Sequence, residues 1–129
     1  AEKTSFQHDE AIHIDLICSE KEIIRHSEAR LVVREARDIT VFTADTELNL
    51  LDKQTKEFEV TYRIPPNVLR PNNYSLILVL FVPHQLTIEL IEDAAFFSVF
   101  DAGTKYAQSE GMDYGLVFSP CEYSVKKIN

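Results

Sequence analysis

Two pairs of side chains in this sequence have the types and the spacing that acid–base chemistry uses. His13 and Asp15 are two residues apart, and so are Glu57 and Glu59. A base beside a carboxylate, or two carboxylates together, can move protons. However, any solvated strand face produces the same spacing, because residues two apart in a β-strand point to the same side. We therefore expect polar strand residues here, and a domain that is not an enzyme.

Motifs for metals and nucleotides are missing from the sequence. His13 and Asp15 have no third ligand at a recognisable spacing, and no Cys/His cluster offers a zinc ligand set. The chain has three glycines and no GxxxxGK[ST] loop, so we do not expect it to bind or hydrolyse ATP. The prediction is a domain without metal and without cofactor.

Composition limits the remaining function classes. The 129 residues include 13 Lys and Arg against 21 Asp and Glu, a net charge of −8, which argues against nucleic acid as a partner. This length, with 45% hydrophobic residues, is enough for one domain, residues 1–129, with its own core. The sequence starts at Ala1 without Met or a signal segment, so we expect a fragment of a longer protein. The two cysteines, Cys18 and Cys121, are expected to be free thiols of a reducing cytoplasm rather than a disulfide.

Period-two alternation of apolar and polar residues recurs in short segments and predicts an all-β, antiparallel β-sandwich. The clearest cases are Ile12 to Cys18 and Glu57 to Ile64. A hairpin is predicted where Ala36-Arg37-Asp38 separates two further runs. The predicted strands are 12–18, 31–35, 39–44, 57–64, 74–82, 94–100, 115–118 and 122–125.

The strand from Tyr74 to Val82 is apolar on both faces. Tyr74, Leu76, Leu78, Leu80 and Val82 alternate with Ile77, Val79 and Phe81. One face is expected to meet the core, and the second requires a covering segment, a partner subunit or an apolar ligand. Before it, Pro65, Pro66 and Pro71 exclude regular structure up to Asn72.

The order of these features resembles a known family. It is carried by Phe6, by His8-Asp9-Glu10 before the Ile12 strand, by Ala44-Asp45-Thr46, and by four longer motifs: Phe58-x-Val60-x-Tyr62-x-Ile64-Pro65, Leu69-x-Pro71-x-x-Tyr74-Ser75-Leu76, Ile91-Glu92-Asp93-Ala94-Ala95-x-Phe97-x-Val99, and Gly115-x-Val117-x-x-Pro120-x-x-Tyr123. This order is similar to the C-terminal carbohydrate-binding domain of Wzt-type ABC transporters, which export O-antigen polysaccharide. The chain departs from the family at Asn72-Asn73, where members carry Pro-Gly, and at Tyr123, where members often carry Trp. Since Asn tolerates φ > 0, we expect the turn at Asn72-Asn73 to be kept.

The resemblance implies a fold, a location and partners. The fold is an immunoglobulin-like or jelly-roll antiparallel β-sandwich behind an ATPase domain, in the cytoplasm at the inner face of the bacterial inner membrane. The implied partners are the O-antigen polysaccharide, the membrane subunit of the transporter, through the full-length protein, and a second copy in a homodimer. In that dimer the C-terminal strands either exchange between protomers or fold back on their own chain.

Candidate carbohydrate-binding residues follow from how proteins recognise sugars, with aromatic rings against C–H surfaces and polar side chains bonding the hydroxyls. Tyr62 and Tyr74 are expected in the core by alternation. The expected contacts are the loop residues Tyr106, Tyr114 and Tyr123, and the outward strand residues His13, Asp15, Arg34, Glu57, Glu59 and Arg63.

Two other interpretations remain open from the sequence. In one, the sandwich only dimerises an attached domain through its apolar strand and binds no glycan. In the other, it is a secreted adhesin-like immunoglobulin domain, which favours a Cys18–Cys121 disulfide.

Overall fold

The computed structural model describes residues 3–19, 27–48, 57–101, 103, 115–119, 121–122 and 124–128. Within these residues the chain forms strands and turns, and no helix long and apolar enough to cross a membrane. The strands are β1 Ser5–Gln7, β2 Ile12–Ser19, β3 Glu28–Glu35, β4 Ile39–Glu47, β5 Glu57–Ile64, β6 Asn72–Val82 and β7 Leu86–Phe100.

Two sheets confirm the all-β sandwich. The larger sheet has the order β1-β7-β6-β3-β4, and the smaller one pairs β2 with β5. The pairs are antiparallel except at one edge, where β1 runs parallel to β7, with Ser5 beside Ser98. The parallel β1–β7 pair is an exception within the antiparallel sandwich that was predicted. The three-residue strand β1 pairs with the C-terminal end of β7. The chain then crosses to the smaller sheet, where it forms β2.

Alternation decides which residues enter the core between the sheets. In β3, the alternate residues Ala29, Leu31, Val33 and Glu35 are buried. In the smaller sheet, Ile12 lies opposite Ile64, and both are buried. At the end of the β3–β4 hairpin, the register shifts between Val33 and Arg34, so that both Val41 and Phe42 pack against the core.

The buried residues form two apolar clusters. The larger cluster surrounds Tyr74, whose ring stacks on Phe97 with centroids 5.3 Å apart, and Phe6 meets Phe97 edge-on. The smaller cluster lies around Phe58 and Leu80. Tyr62 packs against both clusters, which confirms that Tyr62 and Tyr74 face inward.

The second apolar face of β6 is only partly covered. Ile77, Val79 and Phe81 are half-buried on the outer face of the larger sheet. The Arg30 guanidinium lies 4.5 Å from the centre of the Phe81 ring and donates two hydrogen bonds to Asp45, of 2.7 and 2.9 Å. One arginine therefore supplies part of the cover that the sequence required for this strand.

Three local predictions are wrong. Asn72 and Asn73 lie in β6 and not in a left-handed turn, because the Asn72 amide donates to Glu35 and the Asn73 carbonyl accepts from the Ala36 amide. In the turn that precedes β6, Asn67 is the residue in the left-handed region, with φ of 62°. Of the two predicted C-terminal strands, 115–118 forms a single bridge, Val117 to Leu69, and the described residues of 122–125 form no strand.

Two features agree with the immunoglobulin-like interpretation. The order β7-β6-β3-β4 corresponds to the G-F-C-C′ order of variable-type domains. The Tyr74 hydroxyl at the start of β6 donates to the Arg70 carbonyl four residues earlier, as the tyrosine of an immunoglobulin corner does. Cys121 is a free, exposed thiol.

Candidate functional site

The outer face of the smaller sheet gathers most of the predicted polar residues. His13 lies beside Arg63, and Asp15 lies beside Thr61, whose hydroxyl donates to the Asp15 carboxylate at 3.0 Å. The side chains that point outward here are exposed. They are His13, Asp15, Ile17, Glu57, Glu59, Thr61 and Arg63.

The two pairs of residues with the spacing for acid–base chemistry are also exposed to solvent. His13 with Asp15 and Glu57 with Glu59 lie on this open face, as the strand spacing requires. Among the residues that the structure describes, no three His, Cys, Asp or Glu side chains are grouped so that they could hold a metal ion. The arrangement offers hydrogen-bonding groups at the surface rather than an enclosed reactive site.

Arg34 is separated from this group because it lies on β3, on the outer face of the larger sheet. Its guanidinium donates to the Asp38 carbonyl at 2.6 Å and lies 3.9 Å from the Asp38 carboxylate. The structure thus divides the predicted polar set between the outer faces of two sheets. Tyr106, Tyr114 and Tyr123 fall outside the described residues.

The outer face of the larger sheet presents aromatic rings that the sequence analysis did not select. Phe96 is 63% exposed and Phe100 is 44% exposed, whereas Phe97 and Val99 between them are buried. The sequence contained the signal, since strict alternation in 96–100 puts Phe96, Ser98 and Phe100 on one face. The segment was recognised as a strand, but its exposed face was not identified. We call Phe96, Ser98 and Phe100, with their neighbours Asn73, Ser75 and Arg34, the β7 aromatic surface.

Cross-strand pairing brings the members of the β7 aromatic surface together. Ser75 of β6 lies between Phe96 of β7 and Arg34 of β3, in one row across the sheet. In the next row, Ser98 lies beside Asn73, and the Ser98 hydroxyl donates to the Asn73 side-chain oxygen at 2.6 Å. Directly paired residues share a face, so these side chains and rings point to the same side.

The buried carboxylate of Glu35 links β3 to β6 below the β7 aromatic surface. Glu35 follows Arg34 in β3, and its side chain is 3% exposed. It accepts hydrogen bonds from the Arg37 guanidinium at 2.9 and 3.0 Å and from the Asn72 amide at 2.9 Å. Burial alone would raise the pKa of Glu35, but the bonds from Arg37 and Asn72 outweigh it and lower the pKa. The ionised carboxylate therefore ties β3 to β6 beneath the surface.

The C-terminal segment is anchored at the Phe100 end of the sandwich, where the His8 amide donates to the Phe100 carbonyl. Buried Arg70 donates to the Val117 carbonyl at 2.7 Å, and its guanidinium lies 4.8 Å from the centre of the Phe118 ring. The imidazole of His8 also contacts Phe118, with ring centroids 5.2 Å apart. Beyond this anchor, Val125 and Ile128 are 89% and 90% exposed. The end of the described chain therefore presents apolar side chains to solvent.

Comparison with solved structures identifies the fold of this chain. The chain has the fold of a solved structure, the C-terminal domain of Wzt, with a TM-score of 0.69. The match covers 95% of this chain and 74% of that one, at 7% sequence identity. No protein-family model matches the sequence, and no curated protein matches it. The shared fold is the one that the motif order predicted.

Proposed function

We propose that this domain binds O-antigen polysaccharide without catalysis and serves as the substrate-recognition domain of an ABC transporter that exports it. The observation that carries the proposal is the shared fold with the Wzt C-terminal domain over 95% of the chain. The order of motifs in the sequence resembles the same family and is a separate line of support. In this account the full-length protein is the ATPase subunit, on the cytoplasmic side of the inner membrane, and it contacts the membrane subunit.

The surface chemistry supports sugar binding. Exposed aromatic rings and hydrogen-bonding side chains lie side by side on the β7 aromatic surface, and these are the groups that recognise sugars. The face of the smaller sheet adds exposed polar side chains, including His13, Asp15 and Arg63. No step of recognition requires a metal or a proton transfer.

Affinity electrophoresis tests the function directly. The domain is run in native gels that contain O-antigen polysaccharide from the bacterium that carries the protein, and in gels with polysaccharides of other strains. We expect retardation that saturates with the cognate polysaccharide and none with the others. Equal mobility in every gel, for a domain shown to be folded, would contradict the proposal.

A homodimer with exchanged C-terminal strands is also part of the proposal. The 121–128 segment carries Val125 and Ile128 almost fully exposed, and such side chains are expected to find an apolar surface. Exchange of a terminal segment between identical chains supplies one at low cost.

The second candidate function is dimerisation alone, and the same exposed tail favours it. Deletion of residues 121–129 followed by sedimentation separates the possibilities. We expect a dimer for the intact domain and a monomer for the truncated one. A dimer that binds no polysaccharide would favour the dimerisation module, and a monomeric intact domain would exclude it.

A further inference from the structure

We propose that the polysaccharide lies along the β7 aromatic surface, with sugar rings on Phe96 and Phe100 and hydrogen bonds from Arg34 and Ser75. This inference rests on the proposed function and assigns it a face, a set of residues and a mode of binding. The outer faces of the two sheets are the alternatives, and the following observations separate them.

The rings are available only on the larger sheet. Phe96 and Phe100 are 63% and 44% exposed there. On the smaller sheet, the outward positions that the structure describes carry no Phe, Tyr or Trp, and their large apolar residue is Ile17. An aliphatic side chain lacks the flat negative face on which sugar C–H groups stack. The outer face of β2 and β5 therefore offers hydrogen-bonding side chains but no aromatic ring on which a sugar could stack.

Phe96, Ser75 and Arg34 form one row across three neighbouring strands. Neighbouring strands are about 4.8 Å apart, so the Cα atoms of Phe96 and Arg34 are separated by about 10 Å with Ser75 between them. A pyranose above Ser75 then contacts the phenyl ring on one side and the guanidinium on the other. The Arg34 side chain is 29% exposed, and its Nε is buried without a hydrogen-bond partner.

Charge favours a hydroxylated or acidic ligand at this row. The chain as a whole carries a net charge of −8. The six residues of the β7 aromatic surface include a cation, Arg34, and no carboxylate. Arg34 offers a hydrogen-bond donor to a hydroxyl-rich or acidic glycan, beside the Asp38 carboxylate that lies 3.9 Å from its guanidinium.

The two phenyl rings are small and separate apolar areas, and Ile77, Val79 and Phe81 lie half-buried further along the same outer face. At their observed exposures, the two phenyl rings present roughly 200 Å² of surface, against about 800 Å² that each partner of a stable protein interface buries. The rings are separated by hydrogen-bonded Ser98 rather than joined in one patch. Isolated rings with polar groups between them suit a chain of sugars.

The distance between the two rings determines how many sugar units the surface can bind. Phe96 and Phe100 are four residues apart in a strand, so their Cα atoms are about 13 Å apart. One monosaccharide cannot cover both rings. The surface therefore takes a stretch of at least two sugar units along β7, and it recognises the body of the chain rather than its terminal unit alone.

Ring-removing and ring-keeping variants test the assignment. Dissociation constants for cognate O-antigen polysaccharide are measured by calorimetry for the wild-type domain, Phe96→Ala, Phe100→Ala, Phe96→Tyr and Ile17→Ala. We expect each alanine at Phe96 or Phe100 to weaken binding about tenfold. Phe96→Tyr should keep wild-type affinity because it keeps the ring. Ile17→Ala, which removes an equally exposed apolar side chain from the smaller sheet, should bind as the wild type does.

Each outcome decides one question. If the wild type binds and all four variants bind equally well, this inference is overturned while the proposed function stands. If the wild type binds no polysaccharide, the proposed function fails and the inference fails with it. Oligosaccharides of increasing length give an independent measurement, since affinity should rise from one sugar unit to several. A terminal monosaccharide that binds as tightly as the polymer would contradict binding along β7.

Discussion

The Tyr74 hydroxyl donates a hydrogen bond to the backbone carbonyl of Arg70, while the Tyr74 ring stacks on Phe97. Tyr74 is 2% exposed, and burial, together with the nearby Glu35 carboxylate, raises the pKa of its hydroxyl. The hydroxyl therefore remains a neutral donor at physiological pH. This bond fixes the chain between Leu69, which pairs with the C-terminal segment, and β6 at the centre of the larger sheet.

Replacement of Tyr74 by Phe removes this bond and keeps the ring. We expect the free energy of unfolding to fall by about 1–2 kcal/mol, since a buried carbonyl then loses its partner. Urea denaturation at neutral pH measures the loss. The comparison variant is Tyr62→Phe, at a half-buried residue whose hydroxyl accepts from the Thr46 hydroxyl at 3.1 Å and lies 3.4 Å from the Ala29 carbonyl. An unchanged stability for Tyr74→Phe would show that this bond does not stabilise the corner.

The buried carboxylate of Glu35 predicts a pH dependence of stability. Its pKa in the folded protein is below the ordinary value of 4.5, so the unfolded chain binds the proton more readily. The contribution of Glu35 is therefore complete above pH 4.5 and is lost as the pH falls through the lowered pKa. Unfolding free energies of the wild type and Glu35→Gln, measured from neutral to acidic pH, should converge below pH 4.5.

Arg37 provides the control for this pH dependence. Arg37→Met removes the guanidinium that donates to Glu35, so the stability of this variant should vary less with acid than that of the wild type. The account is wrong at this point if the wild type and Glu35→Gln differ by the same free energy at neutral pH and at pH 3, about one unit or more below the ordinary value.

The Arg30–Asp45 pair on the outer face is expected to contribute little. Both side chains are more than a third exposed, so Asp45→Asn should lower the free energy of unfolding by at most about 1 kcal/mol, and by less in high salt. Arg30→Ala should be more destabilising, because Arg30 also covers the Phe81 ring. Denaturation of both variants at low and high salt checks this order. Equal losses that do not respond to salt would contradict it.

Alternation in the sequence was sufficient to predict most of the fold. Ile12 to Cys18, Glu57 to Ile64 and Tyr74 to Val82 all form strands close to the predicted limits, because one buried face imposes period two on each. The hairpin turn at Ala36 to Asp38 was recognisable for a similar local reason, with Asp38 accepting a φ of 62°. Local patterns of this kind do not depend on the rest of the chain.

Features that depend on distant partners could not be predicted in this way. Strand β1 has three residues and exists because β7 offers it an edge. Asn72 and Asn73 have turn-like residue types, but their bonds to Glu35 and Ala36 hold them in the sheet. The same limit applies to the candidate site. Alternation can show that Phe96 and Phe100 share a face, but only the pairing of β7, β6 and β3 places Arg34 in the same row as Phe96.

An NMR titration of the folded domain with cognate O-antigen polysaccharide tests the central claim most directly. We predict saturable shifts of the backbone amides of Phe96, Ser98 and Phe100, with smaller changes in β2 and β5. Polysaccharides of other strains should leave the spectrum unchanged. The absence of shifts at any polysaccharide concentration would contradict carbohydrate recognition by this domain.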